Sequence, residues 1–99
     1  MLFASIYTYR GTVTEESQKR LLNLFVNWKT PEGFTIKSQY SFADGSGGLV
    51  LIDAECEVAA LEGTAPWIPF LEFRTIPIVE IEKAIPVFLA AAAWRDSVK

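Results

Sequence analysis

The stretch FTIKSQYSFADGSGGLVLIDAECEVAAL, Phe34 to Leu61, decides the fold. Phe34, Ile36, Tyr40 and Phe42 fall on one face, and Thr35, Lys37, Gln39 and Ser41 on the other. That alternation is the period of a half-exposed strand. Asp44-Gly45-Ser46-Gly47-Gly48 reads as a turn whose glycines supply positive φ angles. Leu49 to Ile52 is a short, wholly apolar strand. Two strands joined this way make a hairpin. Asp53 reads as the N-cap of a helix from Ala54 to about Leu61.

Working outward, Met1 to Tyr9 is a strand with two apolar faces. Leu2, Ala4 and Ile6 point one way, and Phe3, Ser5, Tyr7 and Tyr9 the other. A strand apolar on both faces belongs in the middle of its sheet. Thr14 suits an N-cap, with Glu15 and Glu16 at the positive end of the helix dipole; Thr12 with Glu15 is a rival capping box. Leu21, Leu24, Phe25 and Trp28 recur at helical spacing over residues 15–28, and Pro31 and Gly33 end that helix. Pro66 and Pro69 keep the next segment irregular, and Phe70 to Val79 is a fourth strand with Pro77 at an edge or bulge. Pro86 suits the first position of a last helix, to about Ser97, with Phe88, Leu89 and Ala92 as its buried stripe. The order β-α-β-β-α-β plus a C-terminal helix is the ferredoxin-like pattern of an α+β domain, here a single domain over residues 1–99.

A chain of 99 residues is expected to fold to a radius of gyration of roughly 13 Å. It is 51% apolar, with three Trp, three Tyr and seven Phe, which is more apolar surface than one small core absorbs. Burial against another chain would use the surplus. The net charge is −3, and residues 44–73 carry six acids and no base. No basic patch stands ready for phosphates, so neither nucleic acid nor an anionic membrane is an expected partner. Met1 to Tyr9 lacks the features of a signal peptide, and the longest apolar run, Ile85 to Trp94, is short of the ~20 residues that span a bilayer. One cysteine gives no internal disulfide, which points to a reducing, cytoplasmic setting.

The segments Met1-Leu2-Phe3 with Tyr7-Thr8-Tyr9, Leu49-Val50-Leu51-Ile52-Asp53-Ala54, Ala59-Ala60-Leu61, and Trp67 followed by Glu72-Phe73 and Pro77-Ile78-Val79-Glu80 occur together here. In that combination the chain resembles domain-of-unknown-function family 3303 over nearly its whole length. The resemblance implies the dimeric α/β barrel superfamily, in which two ferredoxin-like sheets face each other. It implies no reaction. Its pattern also has a tryptophan–histidine pair in the second strand where this chain has Tyr40-Ser41, so any role of that pair is missing here.

There is no histidine. Ser-His-Asp and Cys-His catalysis and histidine-ligated haem or zinc are therefore excluded, and no metal or cofactor is expected. Cys56 is expected to be a small, partly buried thiol flanked by Glu55 and Glu57. Asp53, Glu55 and Glu57 read as a cap and first-turn acids rather than as cation ligands. Trp28, Trp67 and Trp94 read as core or interface anchors.

In the fourth strand Glu72 and Arg74 share a face with Phe70, Ile76 and Ile78. If that strand borders the first, Tyr7 and Tyr9 are expected beside them. The candidate pocket is then two phenols, a carboxylate and a guanidinium. Arg74 would hold a carboxylate, and Glu72 would act as base. The expected function is a small homodimeric, non-catalytic protein that binds a small molecule or serves as an accessory. The alternatives are a cofactor-free isomerase, lyase or monooxygenase using those four residues, and a protein-interaction subunit using the acids of residues 53–62.

Overall fold

A computed structural model describes residues 1–99. The chain is α+β: one four-stranded antiparallel sheet and three α-helices. The elements are β1 (Leu2–Tyr9), α1 (Glu15–Val26), β2 (Phe34–Ser41), β3 (Gly47–Ala54), α2 (Glu57–Thr64), β4 (Leu71–Pro77) and α3 (Ile81–Ser97), with a 3₁₀ turn over Ala65–Trp67. The sheet order is β2-β3-β1-β4. β1 is central, as its two apolar faces require.

The two faces of the sheet differ in what covers them. On one, Phe3, Phe34, Ile52 and Ala54 pack with Ala59 and Ala60 of α2, while Trp28 and Ile36 close around this core. α1 lies over the same face. Its N-cap is Thr14, which accepts from the Ser17 N–H at 3.0 Å, while the Ser17 hydroxyl accepts from the Thr14 N–H at 2.9 Å. The reciprocal partner is thus Ser17, and the rival box at Thr12 and Glu15 is not used. On the other face, Leu2, Ala4, Ile6, Leu49, Leu51 and Ile76 are half-buried by their neighbours in the sheet, and no helix packs over them.

Four local expectations are corrected. A β-bulge between Ile36 and Ser38 leaves Lys37 without a partner in the ladder. The extra residue reverses the alternation after it. Gln39 therefore shares the helix-covered face with Ile36, and Tyr40, 60% exposed, turns to the open face. Asp53 does not cap α2. The sheet holds the backbone extended through Ala54, whose N–H donates to the Met1 carbonyl at 2.9 Å, so Cys56 becomes the N-cap. Cys56 is exposed, not partly buried. The last helix begins before Pro86, because the Glu80 carbonyl accepts from the Lys83 and Ala84 N–H groups and starts the helix there.

The hairpin glycines divide by role. Gly45 has φ +76° in the turn, where the Asp44 carboxylate accepts from the Ser46 N–H at 3.0 Å and from its hydroxyl at 2.7 Å. These bonds to Ser46 hold the Asp44 carboxyl below its ordinary range. Gly47 and Gly48 are buried strand residues whose φ angles are not positive, so close packing rather than turn geometry selects them.

The largest departure is in shape. The radius of gyration is 17.7 Å, against the ~13 Å of a compact chain of this length. The longest axis is 61 Å, while the others are 31 and 19 Å. α3 has no buried residue. The expected stripe is uncovered, with Phe88 64% exposed, and Trp94 is 68% exposed. No helix of the chain is long and apolar enough to cross a membrane.

Candidate functional site

The space between α1 and the sheet holds a cavity of about 260 Å³. It exists because α1 stands off the sheet and is held there mainly by aromatic side chains. Trp28 meets Trp67 edge to face at 5.2 Å between ring centroids, and Phe34 at 6.0 Å. Phe25 lies 6.2 Å from Trp28 and 6.0 Å from Trp67. Such pairs hold their partners by geometry as well as by area. The 3₁₀ turn that contains Pro66 brings Trp67 under α1.

The sheet supplies the floor. Along β1, Ser5 faces Thr75 across the β4 ladder, and their hydroxyls bond at 2.9 Å. Tyr7 faces Phe73, with ring centroids 6.0 Å apart, and Tyr9 faces Leu71. Gly48 lies opposite Tyr7 in β3 and leaves room for its phenol, since an added Cβ would sit 2.6 Å from the Tyr7 ring carbon that bears the hydroxyl. Gln39 arrives from β2 by way of the bulge.

The polar groups of the lining fall into two sets. The Ser5 hydroxyl is engaged with Thr75, and the Thr64 hydroxyl donates to the carbonyls of Ala60 and Leu61. The phenols of Tyr7 and Tyr9 and the amide of Gln39 are left to meet whatever enters. No charged side chain lines the cavity.

Burial first, and the neighbouring Tyr9 second, raise the Tyr7 phenol above its ordinary 10.0. Between pH 10.0 and that raised value the unfolded chain has lost the Tyr7 proton and the folded chain has kept it. Stability therefore falls as pH rises above 10.0. Absorbance titration is expected to show a late phenolate step that disappears in Tyr7→Phe; an unchanged curve for that variant would refute the assignment.

The structure splits the pocket expected from the sequence. In an antiparallel ladder, directly opposed residues share a face. Tyr7 and Tyr9 oppose Phe73 and Leu71, whereas Glu72 and Arg74 oppose Thr8 and Ile6. The two phenols line the cavity, and the two charges lie exposed on the open face. Glu72 and Arg74 form no ion pair with each other; the chain's ion pair joins the Met1 amine to Asp53 at 2.9 Å. That bond, with the charge behind it, holds the Asp53 carboxyl below its ordinary range.

Sequence reasoning missed Gln39, because the bulge that turns it inward leaves no composition signal. It also missed the joint role of Trp28 and Trp67. Aromatic residues at the end of the first helix and in the Pro66 turn were the available signal.

No curated protein matches the chain. The model of one family, described as a domain of unknown function (DUF3303), matches residues 1–92, and the chain belongs to that family.

Proposed function

We propose that this is a ferredoxin-like domain that works as a homodimer in the cytoplasm. It binds a small molecule in the cavity beneath α1, or serves as an accessory, and catalyses no reaction. The cavity carries this reading, with an aromatic wall at one side and the free groups of Tyr7, Tyr9 and Gln39 on its floor. A carboxylate or ammonium group placed there would lose its water without gaining a counter-charge. The fitting ligand is neutral, with a ring-like apolar body and a hydroxyl or carbonyl for the phenols and the amide. About 260 Å³ suits one or two fused rings.

The placement of Glu72 and Arg74 on the far face removes support from a cofactor-free isomerase, lyase or monooxygenase, which would need them beside the phenols. Asp53, Glu55, Glu57 and Glu62 are exposed, which suits the interaction-subunit alternative.

Two probes of one shape and different charge test the reading. 1-Naphthol is expected to quench the fluorescence of Trp28 and Trp67 and to bind at least ~10-fold tighter than 1-naphthoate, whose charge must be desolvated. Tyr7→Phe is expected to weaken 1-naphthol several-fold. Equal or tighter binding of 1-naphthoate would overturn the ligand class. Failure of both compounds to bind would overturn the cavity as a ligand site.

A further inference from the structure

α3 is the least satisfied element of the chain. Its seventeen residues make a rod about 25 Å long. Between Ala84 and Trp94 it carries no charge, and its large side chains Ile85, Val87, Phe88, Leu89 and Trp94 point to every side. A helix apolar all round is a buried helix. One that rests on a single surface, protein or membrane, shows a polar face, and a membrane-surface helix is also rich in Lys and Arg. α3 has neither feature.

It does not fold onto its own sheet. The β4 ladder is continued by the Ile78 N–H, which donates to the Leu2 carbonyl at 3.0 Å, and only Val79 and Glu80 separate that bond from the helix. Meanwhile the open face of the sheet presents an apolar centre of Ala4, Ile6, Leu49 and Leu51, with Lys37, Asp53, Glu72 and Arg74 around it. α3 has the matching pattern, an uncharged middle between Glu82 and Lys83 at one end and Arg95 and Asp96 at the other. Strands of this length span about 25 Å, the length of the helix.

We infer that α3 is an exchanged arm: in a two-fold dimer, the α3 of each copy seats on the open sheet face of the other. The inference rests on the homodimer proposed above and says how that dimer is built. Two-fold exchange satisfies both copies with one contact. A place between two copies covers α3 on more than one side, as its all-round apolar surface requires. Phe88 and Trp94 at their usual buried areas offer roughly 300–500 Å² per copy, and Ile85, Val87 and Leu89 bring α3 toward the ~800 Å² per partner of a standard interface.

The test uses the full chain, its Phe88→Glu and Leu51→Lys variants, and native mass spectrometry with sedimentation velocity at ~20 μM. Wild type is expected to be a dimer. Each variant is expected to raise the dissociation constant at least ~30-fold, while sheet circular dichroism is retained. Phe88 is exposed and Leu51 half-exposed within one chain, so neither change strikes the core. The emission of Trp94, isolated by Trp94→Phe subtraction, is expected to be blue-shifted in the dimer and to move to the red in Phe88→Glu. A Phe88→Glu chain that remains dimeric would overturn the arm and leave the homodimer standing. A dimer lost in Phe88→Glu but kept in Leu51→Lys would overturn the sheet face as the seat. A monomeric wild type would overturn both the arm and the homodimer.

Discussion

Replacing Trp67 with Ala is expected to cost about 3–5 kcal/mol and to leave much of the chain unfolded at 25 °C. Trp67 is only 7% exposed, and it is where α1, α2 and the sheet meet. Its ring touches those of Phe25 and Trp28, the same side chains that hold α1 over the cavity. Few other residues share the load. The buried apolar residues besides Trp67 are Phe3, Phe34, Ile52, Leu71 and three alanines, a thin core for 99 residues. Removing the indole would join its volume to the existing cavity, and the site has no neighbour that can collapse into so large a space. Urea unfolding followed by far-ultraviolet circular dichroism measures the loss. Trp67→Phe is expected to retain more than half of the stability that Trp67→Ala loses, since it keeps a ring against Trp28. A loss below about 1 kcal/mol in Trp67→Ala would mean that the aromatic cluster does not hold α1 in place.

The order of elements was legible because it rests on local chemistry. β1 shows two apolar faces, Thr14 stands before acids and a helical stripe, and Asp44-Gly45 stands between an alternating strand and a wholly apolar one. What was not legible depends on pairing. The period-two rule places Glu72 and Arg74 together on β4, and it places Tyr7 and Tyr9 together on β1. Neither strand alone says which of these pairs shares a face, because a slip of one residue exchanges them. Here Tyr7 opposes Phe73, and the four-residue pocket separates into a cavity floor and a charged outer surface. The bulge at Lys37 is a second such case, since nothing in Ile36-Lys37-Ser38 distinguishes a bulged strand from a regular one. α3 is a third. Its apolar residues suggest a stripe buried in the same chain, whereas helical spacing tells only that a surface must be covered, not by which molecule.

Replacing Gly47 with Ala is expected to cost about 3 kcal/mol or more, while Gly45→Ala costs about 1–2 kcal/mol. From the sequence the two glycines look alike, members of one Asp-Gly-Ser-Gly-Gly turn. Gly45 has φ +76° with open space around an added Cβ, so its cost is the backbone strain of a left-handed alanine. Gly47 needs no positive φ, but an added Cβ would run into the Tyr7 carbonyl oxygen, with the Tyr7 carbonyl carbon at 2.8 Å and the Thr8 Cα at 2.9 Å. Those are backbone atoms of β1, the strand that holds both β3 and β4. A rotamer change cannot relieve the contact. Either β3 moves away from β1, or β1 shifts and disturbs both of its ladders and the Tyr7 phenol with them. Paired urea unfolding of the two variants decides the matter. If Gly45→Ala proves the costlier, the turn rather than the β1–β3 contact is what requires glycine in this hairpin. If Gly47→Ala is the costlier and also weakens 1-naphthol binding in the fraction that folds, the same close approach of β3 to β1 holds both the sheet and the cavity floor.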